Sequence, residues 1–94
     1  MTEAVTIGII GDYNGQSRSH VATDAALRHA AEHRSIALSI RWLPTESLTG
    51  PEGEAALARC DGLWAAPGSP YRSMEGALGG IRFARERRWP FFGT

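Results

Sequence analysis

The 94-residue chain contains one cysteine, no lysine, no net charge and no long apolar run. The single thiol, Cys60, excludes an internal disulfide and is typical of a reducing compartment. Ten arginines balance ten acidic residues, so the sequence does not indicate a basic surface that would bind nucleic acid or anionic lipid. No apolar stretch approaches the ~18 residues of a membrane span, and the amino terminus lacks a signal-like pattern. We therefore expect a cytoplasmic protein with neither a nucleic-acid nor a membrane partner.

The composition is that of a single globular domain. Hydrophobic residues make up 43% of the chain and charged residues 21%, as in ordinary folded proteins. A chain of this length is at the lower end of what buries a useful core, so a second domain is not expected within it.

Compact apolar runs alternate with helix-forming segments along the chain. Strands are expected at residues 5–10, 36–43, 63–66 and 89–93, and helices at 19–33, 49–60 and 72–88. Because crossover connections between parallel strands are right-handed, this alternation predicts an α/β, doubly wound (flavodoxin-like) parallel sheet with strand order of about 2-1-3-4.

Local patterns refine the helices. Ser17 or Ser19 is expected to cap the first helix, and the segment T-G-P-E from Thr49 has the spacing of a capping box. Glycines in the third helix weaken it but can let it lie close on the sheet. The predicted apolar stripes are Val21, Ala25, Arg28 and Ala31 in the first helix and Met74, Ala77, Leu78, Ile81, Ala84 and Arg85 in the third.

The fourth predicted strand carries Trp89, Phe91 and Phe92, which need cover on both faces and a neighbour at the outer edge. One interpretation is that a homo-oligomer or a partner chain supplies this cover. We favour the other, that residues 1–94 are the N-terminal part of a larger α/β domain.

Ligands of an open parallel sheet bind outside the carboxyl ends of the strands, where the strand order reverses. In the predicted order this point lies between strands one and three, next to the loops at 11–17 and 67–76. The Pro67-Gly68 turn can expose backbone N–H groups to an anion or a developing oxyanion, although plain turn chemistry is an alternative. The glycine spacing of the first loop is not that of a dinucleotide fingerprint.

Other candidate side chains carry weaker signals. Neither Ser69 nor Ser73 lies in a G-x-S-x-G elbow. Cys60 is expected to be a buried structural thiol. The histidines His20, His29 and His33 are expected to be solvated, and Asp12, Asp24 and Glu75 show no pairing that would indicate acid–base chemistry. No metal and no cofactor is expected.

Several segments occur together in an order that is typical of one family. They are I-G-I-I-G-D-Y, A-A-L-R-H-A, I-R-W-L, C-D-G-L-W-A-A-P-G, R-S-M-E-G and I-R-F-A-R-E-R-R-W-P-F-F-G. Together they resemble the class I glutamine amidotransferase domain of CTP synthase over nearly the whole chain. Because Met1 lies four residues ahead of the first predicted strand, the chain resembles the free-standing proteins related to the C-terminal region of CTP synthase.

The resemblance implies a Cys-His-Glu triad and thiolate attack on a glutamine side-chain amide. The cysteine of such domains lies in a G-x-C-x-G elbow just after the strand that matches W-P-F-F-G, so Gly93 and Thr94 would form the approach to it. The histidine and glutamate would lie further along a longer chain. Glutamine or a related amide would be the substrate, and ammonia would pass to a separate synthetase partner.

The resemblance also implies a role for the loop after strand three, where the family has P-G-G-F-G-x-R-G-x-E-G. By position, the backbone N–H of Ser69 would contribute to substrate binding and the oxyanion hole. The chain departs from the family at Ser69 and Ser73, which replace glycines, at Pro70 with one residue deleted, and at Asp12, which replaces a common lysine. The residues carried over to this substrate-binding loop are Gly68, Ser69, Pro70, Tyr71, Arg72, Glu75 and Gly76.

Two further functions are compatible with the sequence. A non-catalytic small-molecule binding or regulatory module could keep the fold and use the altered loop for another ligand. A flavodoxin-like nucleotide-binding domain with unrelated chemistry is the third.

Overall fold

The computed structural model describes residues 4–66 and 71–93. These residues form one four-stranded parallel sheet with the order β2-β1-β3-β4, which confirms the predicted α/β class and strand order. The strands are β1 (Ala4–Ile10), β2 (Ala37–Leu43), β3 (Gly62–Ala65) and β4 (Phe91–Gly93). The helices are α1 (Arg18–His33), α2 (Gly50–Ala58) and α3 (Met74–Arg87), and a 3-10 helix spans Thr45–Leu48.

The central strand β1 is apolar because both of its faces are covered. Ile9 and Ile10 are fully buried and, as neighbours in a strand, project to opposite faces. The edge strand β2 instead alternates between exposed and partly buried residues, as its sequence predicted.

The core lies between the sheet and the helices α2 and α3. The indole Nε1–H of Trp89 donates to the Cys60 carbonyl at 2.6 Å and ties the approach to β4 to this core. The buried cluster comprises Ile10, Leu43, Leu48, Leu57, Cys60, Leu63, Ala77, Phe83 and Ala84.

Glycines bring α3 close to the sheet and to the 3-10 helix, as anticipated. A Cβ at Gly80 would lie 2.8 Å from Ile10 Cδ1, and one at Gly76 would overlap the Thr45 carbonyl oxygen. The helix begins after Ser73, whose Oγ accepts the Gly76 N–H at 3.0 Å. It ends where Arg88 adopts a left-handed conformation, with φ of 56°.

The predicted stripe of α1 was wrong except at Ala31. Val21, Ala25 and Arg28 are exposed, and the helix buries His20 and Thr23 together with Ala31 against the sheet. Alanines occur on every side of this helix, so apolar spacing alone does not identify the buried face. Ser17 is the N-cap, and its side chain accepts the His20 N–H.

Two details of the other helices also differ from expectation. Thr49 occupies the N-cap position of α2, but its side chain makes no capping hydrogen bond, so the capping box does not form. In α3, Met74 and Leu78 are exposed, whereas Phe83 is buried with Ala77 and Ala84. Ala77 and Ala84 are thus the buried members of the predicted stripe.

The aromatic residues of β4 are partly exposed, as expected of an edge strand without full cover. Phe91 is 40% exposed and Phe92 56% exposed. Within residues 4–66 and 71–93, no helix has the length and apolarity that crossing a membrane requires.

Candidate functional site

Three strands of the sheet end side by side. In the parallel register, Ile10 of β1 pairs with Ala65 of β3, which pairs with Gly93 of β4. The segments that follow these strands therefore leave the sheet at the same edge. The sequence neighbours β1 and β2 lie on one side of this point and β3 and β4 on the other, so it is the reversal of strand order at which open parallel sheets bind ligands.

Asp12 joins the three segments that meet at this edge. Its Oδ1 accepts the Thr45 N–H at 2.9 Å, and its Oδ2 accepts the Thr45 hydroxyl at 2.8 Å and the Arg72 N–H at 2.8 Å. The carboxylate of Asp12, two residues after the end of β1, thus binds both the start of the 3-10 helix and the end of the loop that follows β3.

Thr45 extends this junction to α3. Its side chain is fully buried, and its Oγ1 accepts the Ser73 N–H at 2.9 Å while donating to Asp12. Ser73 in turn caps α3 through Gly76. The consecutive backbone N–H groups of Arg72 and Ser73 therefore donate to the side chains of Asp12 and Thr45, respectively.

The hydrogen bonds determine the charge of Asp12. Burial alone would raise the pKa of this carboxyl, but the N–H groups of Arg72 and Thr45, the Thr45 hydroxyl and the Arg72 charge together lower the pKa below its ordinary value. Asp12 is consequently an ionised acceptor at neutral pH.

Tyr71 occupies the inner side of this segment. Its hydroxyl donates to the Ala66 carbonyl at 2.6 Å, which links the two described ends of the loop after β3. Burial, and to a lesser degree the negative charge of Asp12, raises the pKa of the Tyr71 phenol. Tyr71 is therefore a neutral hydrogen-bond donor.

The other predicted loop residues are placed as follows. Arg72 is exposed, and its guanidinium lies 3.9 Å from Glu46. Glu75 is exposed in the first turn of α3, and Gly76 is buried against Thr45. Gly68, Ser69, Pro70 and Thr94 lie outside the described residues, so their assignment to the site stays a prediction.

An aromatic cluster lies beside Asp12 and was not anticipated. The Tyr13 ring contacts Trp42 edge-on at 4.8 Å, and the His20 ring lies 5.0 Å from Trp42. His20 is only 6% exposed, and its Nδ1 accepts the Asn14 N–H at 3.0 Å. The expectation that His20 is solvated was wrong, because its ring both packs and hydrogen-bonds, whereas His29 and His33 are exposed.

Cys60 and Asp24 lie away from this edge. Cys60 is 2% exposed and its thiol lies 3.7 Å from the Ala56 carbonyl, which confirms a buried structural thiol. Asp24 pairs with Arg28 on α1 at 2.9 Å. Across residues 4–66 and 71–93, no three metal-ligating side chains of the His, Cys, Asp and Glu types cluster together.

Thr45 is the site residue that the sequence did not indicate. It is 33 residues from Asp12 and 28 from Ser73 along the chain. Its only sequence signal was its position after an apolar strand, where polar residues are common in any loop.

Comparison with known proteins identifies the relatives of this chain. No family model matches it. The CTP synthase of Acidobacterium capsulatum is 37% identical over 92 residues, which cover 98% of this chain and 17% of that protein. The CTP synthases of Symbiobacterium thermophilum and Phytoplasma australiense are 37% and 32% identical, and the matches cover 95% and 99% of this chain.

A solved structure is similar to this chain over almost the same share of its length. The glutaminase domain of Trypanosoma brucei CTPS with bound acivicin superposes with a TM-score of 0.80 and 26% identity, covering 95% of this chain and 35% of that one. This chain is thus similar in sequence to CTP synthases and in fold to the glutaminase domain of one of them. It spans 17% of the length of the CTP synthases from A. capsulatum and S. thermophilum.

The relationship to CTP synthase agrees with the resemblance found in the sequence and with the doubly wound, flavodoxin-like sheet.

Proposed function

We propose that these residues form the N-terminal part of a glutamine amidotransferase-like protein that hydrolyses the amide of glutamine or a related small molecule. The observation that carries the proposal is the similarity to a glutaminase domain with bound acivicin, which is a glutamine analogue. The parallel ends of β1, β3 and β4 support it, because a ligand at this edge would be within reach of all three following segments.

The proposed chemistry uses a cysteine immediately after Thr94. Its thiolate attacks the amide carbon, and the carbonyl oxygen of the tetrahedral intermediate takes the negative charge. Backbone N–H groups of the 67–76 loop, including that of Ser69, stabilise this oxygen. The histidine that the resemblance implies takes the thiol proton and returns it to the nitrogen, so that collapse of the intermediate releases ammonia and leaves a thioester. Water then hydrolyses the thioester to the free carboxylate and the thiol.

Because β3 and β4 are adjacent, the nucleophile and the oxyanion donors can come from the segments that follow two different strands. Ala65 and Gly93 are paired, so a nucleophile after β4 and oxyanion donors after β3 would flank the same carbonyl group. A separate synthetase would be the acceptor of the ammonia.

The test begins with the coding sequence after Thr94. A Cys codon followed by x-Gly is expected, and the full protein should release ammonia from glutamine and be alkylated by acivicin at that cysteine. Replacing that cysteine with serine should abolish both, whereas Cys60→Ala should leave labelling intact, because Cys60 is buried away from the edge. A full protein that neither releases ammonia nor is alkylated contradicts the proposal.

The second candidate is a non-catalytic small-molecule binding module. The departures in the loop favour it, since serine at position 69 replaces the glycine of the family and a backbone donor survives that change only where φ and ψ suit a residue with a Cβ. A serine, an alanine or a stop codon after Thr94, together with thermal stabilisation by an amino acid or nucleotide, would favour this candidate over the enzyme.

A further inference from the structure

The most extensive polar junction at the candidate site is built on Asp12. Asp12 accepts hydrogen bonds from Thr45 and Arg72, and Thr45 passes the connection to Ser73. Asp12 and Arg72 are 60 residues apart in the chain, so this is a tertiary contact and not local turn chemistry.

The chemistry of the junction requires an acceptor at position 12. Two backbone N–H groups and one hydroxyl hydrogen point at the two carboxylate oxygens. A lysine, which the resembled family commonly has here, offers only donors and could make none of these bonds. In this chain the contact of the 71–73 segment with the segment after β1 therefore depends on the Asp12 carboxylate.

Ser73 belongs to the same junction. It also replaces a family glycine. Its N–H donates to Thr45, its Oγ accepts from Gly76 and its carbonyl accepts from Ala77. The changes at positions 12 and 73 thus contribute to one network that connects the end of β1, the 3-10 helix and the start of α3.

We infer that Asp12 is a positioning residue that fixes the 71–73 segment and, with it, the carboxyl-terminal half of the 67–76 loop before any ligand binds. That this loop contacts an amide substrate rests on the proposed function; that Asp12 holds the segment does not. The charged and titratable groups facing Asp12 are the Arg72 guanidinium and the Tyr71 phenol, and Arg72 in turn faces Glu46.

Amide resonances of the 15N-labelled full protein test the inference directly. If the Asp12 carboxylate accepts these bonds, the N–H resonances of Thr45 and Arg72 should titrate together with one midpoint, below the ~3.9 of an unperturbed aspartate. In Asp12→Asn this shared titration should vanish, and hydrogen exchange at Arg72 and Ser73 should accelerate about tenfold or more.

Asp61→Asn is the matched control. Asp61 accepts the Thr6 N–H at 2.7 Å at the opposite end of β1. This variant also removes a carboxylate that holds a backbone amide, but it should leave exchange at Arg72 and Ser73 unchanged.

Resonances of Thr45 and Arg72 that do not follow a common midpoint would overturn the inference, even if Asp12→Asn does not fold. Unchanged exchange at Arg72 and Ser73 in a folded Asp12→Asn would do the same. None of these measurements requires glutamine. A full protein without glutaminase activity would therefore reject the proposed function, whereas the role of Asp12 would still be tested by the titration and hydrogen exchange of the backbone amides.

Discussion

Asp12 is the residue at which structure and protonation are most closely linked. Its pKa is lowered in the folded protein, so its stabilising contribution is complete above the ~3.9 of the unfolded chain and is lost as the pH falls through the lower folded value. We expect Asp12→Asn to reduce the free energy of unfolding by about 1.5–3 kcal/mol at neutral pH. Urea unfolding of both proteins across the acidic range should show this difference shrinking with acidification. A difference that is independent of pH would contradict the assignment.

Two glycines of α3 should respond oppositely to the same substitution. A Cβ at Gly76 would overlap the Thr45 carbonyl oxygen, whereas a Cβ at Gly79 would lie 3.5 Å from the Leu48 oxygen, an ordinary contact. Gly76→Ala should therefore destabilise by about 1–3 kcal/mol or more through overpacking. Gly79→Ala should stabilise by up to ~1 kcal/mol through helix propensity. Thermal unfolding of the two variants measures the signs, and a Gly76→Ala variant that is as stable as the original protein or more stable would refute the packing described for Gly76.

Cys60 should be inert while the protein is folded. Burial, with a smaller contribution from Asp61, raises the pKa of its thiol against the opposing effect of Arg41, and the thiolate is the reactive form. Labelling with a disulfide reagent at neutral pH should be slow in the native state and rapid in denaturant. Fast labelling of the native protein would show that the thiol is accessible and would undermine Cys60→Ala as a control for acivicin labelling.

At the scale of elements, the sequence predicted the presence and order of the strands and helices better than it predicted which face of a helix is buried. The alternation of apolar runs gave all four strands and the order of the sheet because burial on both faces leaves a clear signal in short segments such as V-T-I-G-I-I. In α1 the face could not be predicted, since alanines surround the helix and the buried side includes His20 and Thr23, which satisfy their polar atoms by hydrogen bonds to Asn14 and Ser19.

The site was predictable to a similar degree. A Pro-Gly at the end of β3 pointed to the 67–76 loop, because turn residues after a buried strand mark the ligand-binding edge of a parallel sheet. The contacts of Asp12 with Thr45 and Arg72 were not predictable, since they join residues 33 and 60 positions apart and no local pattern encodes such a pairing.

Phe83 of α3 and Phe92 of β4 should contribute different amounts to the free energy of unfolding. Phe83 of α3 is buried, and its ring lies 5.4 Å from that of Trp89, whereas Phe92 of β4 is mostly exposed. Phe83→Ala should cost about 3–5 kcal/mol. Phe92→Ala should cost less than the ~1.5 kcal/mol at the lower end for a fully buried side chain. Urea denaturation of the pair measures both, and equal losses would mean that Phe92 is buried in solution.

At the scale of the whole molecule, the sheet is covered unevenly. Trp42, Ile9, Trp64 and Phe92 form one register row across the four strands, and in parallel strands paired residues share a face. The His20 ring of α1 packs against Trp42 at one end of the row. At the other end Phe92 contacts the Trp64 ring at 4.8 Å but remains half exposed. The aromatic surface is thus concentrated at the β4 edge, which also has an unpaired backbone.

This uneven cover predicts self-association of the 94-residue protein through the β4 edge. Exposed aromatic strands at a sheet edge favour pairing with another chain, and a charge there opposes it. Sedimentation velocity should show a sedimentation coefficient that rises with protein concentration, and Phe92→Lys should suppress the rise. Leu78→Lys is the control, because Leu78 is 50% exposed on α3, outside the sheet, and should leave association unchanged. A protein that stays monomeric at every concentration, or that responds equally to both substitutions, would show that the β4 edge does not drive association.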